Sequence, residues 1–135
     1  MVDSNVLRVL VIDDEPTVRS SLAAFLEDHD FDVTVAESAE QALSLLRAAT
    51  QDVAVVDLRL PGMSGETLIQ QAHLLQPALR FLIHTGSVSY RLSPALQRLG
   101  MQPSDVFQKP LNDLAQLVTG INRLMETEAL DLSDS

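Results

Sequence analysis

The chain predicts an α/β protein, a doubly wound (βα)5 sandwich in which a five-stranded parallel sheet carries helices on both faces. Three observations predict it. Short runs of Val, Ile and Leu recur between stretches of helical spacing, as strands buried on both faces and their crossover helices do. Five such runs alternate with five helical stretches through short connections, and right-handed crossovers then make the sheet parallel. The runs also end in acids, a hydroxyl and a lysine, at the edge where open sheets keep their reactive groups.

Leu7 to Ile12 is the first strand, interrupted only by Arg8. It ends in Asp13-Asp14-Glu15, and Pro16 suits the first turn of a helix. Val18, Leu22, Phe25 and Leu26 then recur at helical spacing to about Asp28. Phe31 to Ala36 alternates, as a half-exposed edge strand does. Ser38 with Gln41 three residues on predicts a capping box opening a helix through Leu43, Leu45 and Leu46. Val53 to Val56 is the third strand; it ends in Asp57, and Pro61, Gly62 and Gly65 punctuate the loop that follows. Ser64 or Gly65 opens a helix along Leu68, Ile69, Ala72 and Leu75, ended by Gln76-Pro77. Arg80 to Thr85 is the fourth strand, and Ser87 to Leu92 a loop. Ser93-Pro94 opens a short helix that closes at Gly100. Asp105 to Gln108 is a short fifth strand ended by Lys109-Pro110. The last helix takes Leu111, Leu114, Leu117, Val118, Ile121 and Leu124 along one face.

Composition excludes several classes of function. Of the 135 residues 46% are hydrophobic and 4% aromatic, which suits one domain with an aliphatic core. There is no cysteine, hence no disulfide and no thiolate chemistry. A formal net charge of -10, from 19 acids and 9 scattered bases, argues against a nucleic acid partner. No basic-then-apolar leader opens the chain, and no run approaches the roughly 18 apolar residues of a membrane span, so the expectation is cytoplasmic with no membrane partner. Residues 126–135 hold four acids and no base and read as a solvated, flexible tail behind a domain of residues 1–125. None of the three histidines shares a ligand spacing with another, so each reads as an ordinary surface or core residue.

At the strand ends the fold would gather Asp13, Asp14, Asp57, Thr85 and Lys109. Each has a plain alternative: an acid near a helix start compensates its dipole, a β-branched residue suits a strand, and a lysine is usually solvated. One acid suffices for a dipole, however, and adjacent acids repel unless a cation joins them. Carboxylates around one point form a hard oxygen site for Mg²⁺ (or Mn²⁺). A carboxylate beside such an ion can attack phosphorus and become an aspartyl-phosphate. The metal, the Lys109 ammonium and the Thr85 hydroxyl would each take one phosphoryl oxygen.

The ordered set Asp-Asp-Glu-Pro (13–16), Asp-Leu-x-Leu-Pro-Gly-Met-Ser-Gly (57–65), Thr-Gly (85–86) and Lys-Pro (109–110) resembles the receiver domains of two-component response regulators, over about residues 7–125. That resemblance implies the flavodoxin-like strand order 2-1-3-4-5, an order for which the receiver fold is itself a standard example. It further implies that Asp57 accepts a phosphoryl group from a sensor histidine kinase and that the phosphorylated domain binds an output partner. Asp14 and Asp57 would hold Mg²⁺, with Asp13 helping through water and the Arg59 carbonyl as a further ligand. Thr85 would turn toward the phosphoryl group, Lys109 would pair with it, and the Lys109-Pro110 bond would be cis. Arg59 and Ser87 occupy positions that tune phosphoryl lifetime. The family's switch aromatic falls at Val106, with Phe107 directed to the opposite face, and the 86–104 segment departs from the common pattern. The expectation is therefore a specialised or weakly switched output surface.

A phosphoacceptor signalling module, monomeric or dimerising on phosphorylation, is thus favoured over an enzyme. A phosphatase of the aspartyl-phosphate class would need a second carboxylate two residues after the nucleophile, where this chain has Arg59. A degenerate receiver would have lost an acid or the lysine, and all are present. With no output domain after Leu124, the sequence leans toward a complete single-domain regulator over a fragment of a longer one.

Overall fold

The computed structural model describes residues 6–111 and 113–134, with side chains to residue 126. In chain order the elements are β1 (Arg8–Ile12), α1 (Pro16–Asp28), β2 (Asp32–Ala36), α2 (Ala39–Ala48), β3 (Val53–Val56), α3 (Gly65–Leu75), β4 (Arg80–Thr85), α4 (Pro94–Arg98), β5 (Val106–Gln108) and α5 (Ala115–Asp134). All sheet pairings are parallel and the strand order is 2-1-3-4-5, as the resemblance implies.

The strands are apolar throughout because the sheet is buried on both faces. Leu10, Ile12, Ala54, Val56, Phe81 and Ile83 point into a cluster with α2, α3 and α4. Val9, Val11, Val53, Val55 and Leu82 alternate into a second cluster with α1 and α5. β2 lies at the sheet edge with Val35 exposed, the half-exposed strand the alternation predicts.

Local signals set most helix starts. The Ser64 and Ser93 side chains accept from the backbone N–H groups of Thr67 and Leu96. At α2 the box differs from its prediction. Ser38 Oγ accepts from Gln41 N, but Gln41 Oε1 takes the N–H of Glu37, one residue earlier than the cap. Other boundaries also need correction: β1 and β2 each start one residue later than predicted, at Arg8 and Asp32. Asp105 belongs to a single 3₁₀ turn, Pro103–Asp105, so β5 is one residue shorter than predicted. α5 begins at Ala115 because Asp113 Oδ1 accepts the Ala115 N–H, which leaves Leu111 and Leu114 ahead of the helix. The α5 backbone continues to Asp134, through most of the segment that reads as an acidic tail. Among the described residues no helix is long and apolar enough to cross a membrane.

Candidate functional site

Three backbone bonds extend the sheet ladder past the strands and fix where the site residues stand. Asp13 N–H donates to the Ala36 carbonyl, Asp57 N–H to the Ile12 carbonyl, and Lys109 N–H to the Thr85 carbonyl, at 3.1, 3.0 and 2.7 Å. Four of the predicted residues thus leave the sheet at its carboxyl edge with their backbones held, and Asp14 follows directly.

Carboxylate oxygens of Asp13, Asp14 and Asp57 lie within 4.8 Å of one another. Into this group projects Lys109, whose Nζ lies 2.9 Å from Asp13 Oδ2, 3.2 Å from Asp57 Oδ2 and 3.3 Å from Glu15 Oε1. Asp13 and Asp57 are buried while Asp14 is exposed, so one side of the cluster opens to water. The donor set is all oxygen and hard, with room for solvent ligands. It suits Mg²⁺, which binds one or two carboxylates and keeps several waters.

The acids are not spent on the helix that follows. Glu15 sits at the α1 N-cap but makes no side-chain cap bond, reaching Lys109 instead. Asp13 Oδ1 accepts the Glu15 N–H at 2.9 Å, and Asp57 Oδ1 accepts the Arg59 N–H at 3.1 Å. Burial pushes the Asp57 carboxyl above its ordinary range; the Arg59 N–H and Lys109 oppose that push, and Asp13 adds to it. Burial alone would weaken the Lys109 ammonium, but Asp13 and Asp57 outweigh it and hold the proton more tightly than usual. The cluster holds more negative charge than one lysine balances, the condition in which a cation is attracted.

Thr85 is fully buried at the end of β4, and its Oγ1 accepts the Ser87 N–H at 3.2 Å. Arg59 is exposed beside Asp57, and Ser87 is half-buried. Val106 packs half-buried on the α4 side of the sheet and Phe107 on the α5 side, as predicted. The Lys109-Pro110 bond is cis.

Tertiary structure adds Arg19, which sequence reasoning missed, and roles for Gly65 and His84 that the sequence does not show. Arg19, one helical turn after Glu15, donates from Nη1 to the Asp13 carbonyl at 2.7 Å. Gly65 is required by space: a Cβ there would stand 2.6 Å from the Asp57 carbonyl oxygen and from Leu58 Cα. His84, next to Thr85, is 4% exposed and neither ring nitrogen has a hydrogen-bond partner. Burial, followed by the nearby Lys109 charge, lowers that imidazole to about 4, so it is neutral near pH 7. His29 and His73 lie apart from the cluster, on α1's end and on α3.

Known proteins of one family match this chain in sequence and in fold. The family model described as "Response regulator receiver domain" matches residues 9–122. The chain is 30% identical over 127 residues to a protein-glutamate methylesterase/protein-glutamine glutaminase of Burkholderia thailandensis, covering 84% of this chain and 36% of that protein. It is 31% identical over 105 residues to the transcriptional regulatory protein FixJ of Bradyrhizobium diazoefficiens, covering 78% and 50%. This chain therefore spans from about a third to half of the length of these relatives. Among solved structures it resembles the signal receiver domain of a putative LuxO repressor protein from Vibrio parahaemolyticus (TM-score 0.80, 23% identity, 96% and 98% covered). It also resembles the Thermotoga maritima response regulator TrrA in complex with Mg²⁺–BeF (TM-score 0.76, 23% identity, 88% and 99% covered).

Proposed function

The chain belongs to the response regulator receiver domain family, and from that premise we propose that it works as a phosphoacceptor switch with Asp57 as the residue that carries the phosphoryl group. One observation carries the reading: the carboxylates of Asp13, Asp14 and Asp57 share a point with the Lys109 ammonium, which touches both buried acids.

The donor is a phosphohistidine of a sensor kinase. An Asp57 carboxylate oxygen attacks phosphorus, an O–P bond forms as the donor's N–P bond breaks, and the electron pair leaves with the imidazole. Mg²⁺ (or Mn²⁺), which Asp14 and Asp57 would hold with the help of Asp13 and the Arg59 carbonyl, would supply positive charge to the phosphoryl oxygens. Lys109 transfers one of its contacts from Asp57 to a phosphoryl oxygen, keeping Asp13 as its anchor. Thr85 turns its hydroxyl to another oxygen. Arg59 and Ser87, flanking Asp57 and Thr85, set how readily water reaches phosphorus and so tune the lifetime. The domain acts in the cytoplasm, and turns over no substrate of its own beyond its own labelling and hydrolysis.

Incubation with Mg²⁺ and a small phosphodonor, followed by intact mass, tests this. The expected result is a gain of one phosphoryl group in the wild type and none in Asp57→Asn. An unmodified wild type with donor and magnesium in excess overturns the proposal.

A further inference from the structure

The segment between β4 and α4, Gly86 to Leu92, forms no regular secondary structure, yet it is tied down at both ends. At its root the Ser87 N–H donates to Thr85 Oγ1 at 3.2 Å. Farther along, the Tyr90 hydroxyl donates to Glu66 Oε2 at 2.7 Å, across to the first turn of α3. A phenol bound to a carboxylate makes a charge-assisted bond, stronger than a neutral one. The Tyr90 ring is half-buried on the same cluster as Val106 and Leu92. Burial, followed by the Glu66 carboxylate, raises the phenol above its ordinary value, in keeping with a proton held in that bond.

Each tie ends near the phosphoacceptor. Glu66 follows Gly65, whose backbone packs against the Asp57 carbonyl. Thr85 offers one hydroxyl, which serves Ser87 in the present arrangement. If that hydroxyl turns to a phosphoryl oxygen, the Ser87 N–H must follow it or lose its acceptor, and the strap shifts at its root. Tyr90 itself lines one wall of a half-open cleft of about 450 Å³ whose other walls include Arg91, Leu92, Gln97, Val106 and Gln108. The valine at position 106 leaves that space to a side chain from the strap.

We propose that Tyr90 is the latch of the β4–α4 strap: closed on Glu66 while Thr85 holds Ser87, and released into the cleft beside Val106 when Thr85 engages the phosphoryl group. The proposal rests on the phosphoacceptor reading of Asp57. It supplies from the strap the moving aromatic that β5 lacks, so the surface around Ser87, Tyr90 and Val106 changes shape on phosphorylation. The bond to Glu66 exists in only one of two states, which is the differential contact a two-state element needs.

The chain has one tyrosine and no tryptophan, so tyrosine emission reports on Tyr90 alone. A hydrogen-bonded carboxylate quenches phenol fluorescence, and release restores it. Emission of the full chain is followed in Mg²⁺ during treatment with a small phosphodonor, with intact mass measured in parallel. Emission should rise in proportion to the labelled fraction and reach, at full labelling, the level of an untreated Glu66→Gln variant. Asp57→Asn should stay at the quenched level throughout. Full labelling with flat emission overturns the latch and leaves the phosphoacceptor reading standing. Absence of labelling overturns that reading, and the latch falls with it.

Discussion

Replacing Lys109 by glutamine tests the electrostatic argument most directly. Its ammonium touches Asp13 and Asp57, whose side chains are 2% and 5% exposed, and is itself 14% exposed; its third partner, Glu15, is 60% exposed. The Glu15 contact contributes under about 1 kcal/mol, as exposed pairs do. Breaking a buried pair costs about 3–5 kcal/mol because a charge is left without compensation. Open access of water beside Asp14 places Lys109→Gln near the lower end, about 3 kcal/mol, or a fall in Tm of about 10 °C. The folded ammonium titrates above its ordinary value, so its contribution is complete at neutral pH and is lost only as pH rises through the folded value. Thermal and urea unfolding at pH 7 without divalent ion measure the loss. Added Mg²⁺ should raise the variant's Tm more than the wild type's, because the variant's acids have no resident cation to displace. A loss under about 1 kcal/mol, or an equal Mg²⁺ response, would show that solvent already screens the acids and would refute the reasoning.

Three further substitutions probe the surroundings. Gly65→Ala drives a Cβ into the backbone under Asp57; a loss of about 2–3 kcal/mol in urea unfolding and slower labelling of Asp57 are expected, and an unaffected variant would mean the turn yields freely. His84→Leu removes a buried imidazole with neither nitrogen bonded and should stabilise the protein by about 1–3 kcal/mol at pH 7. Because the folded imidazole titrates at about 4 against an ordinary 6.5, the unfolded chain binds the extra proton as pH falls between those values. Wild type then loses up to about 3 kcal/mol that the leucine variant keeps, so the gap between them should widen toward pH 4; a gap that narrows speaks against an unpaired imidazole. Arg59→Ala should change the decay of phosphorylated Asp57, followed by the loss of the labelled mass after donor removal; unaltered decay rules Arg59 out as a lifetime determinant.

Some of the partnerships that shape the site lie far apart in the chain. Gln76 illustrates how. Its side chain donates to the Leu46 and Ala49 carbonyls and accepts the Gln51 N–H, tying the end of α3 to the end of α2. In the sequence it is only the residue before a helix-ending proline. Tyr90 and Glu66 are likewise separated by 24 positions, and neither carries a pattern that names the other. His84 read as an ordinary histidine, and its lack of partners follows from which face of β4 it occupies beneath α1 and α5.

What the amino-acid order alone determined was the local and the periodic: which runs are buried on two faces, where Ser64 and Ser93 cap helices, and that Asp13, Asp14, Asp57, Thr85 and Lys109 fall at strand ends. Strand and helix periods and turn chemistry are properties of neighbouring residues, so they survive in one dimension. Tertiary structure decided how those ends meet: Lys109 shared among three acids, Gly65 backed against the Asp57 carbonyl, Asp113 delaying α5, and Tyr90 reaching Glu66. Those facts depend on crossovers that bring distant backbone within a few ångströms, where exclusion of water decides which polar groups must find one another.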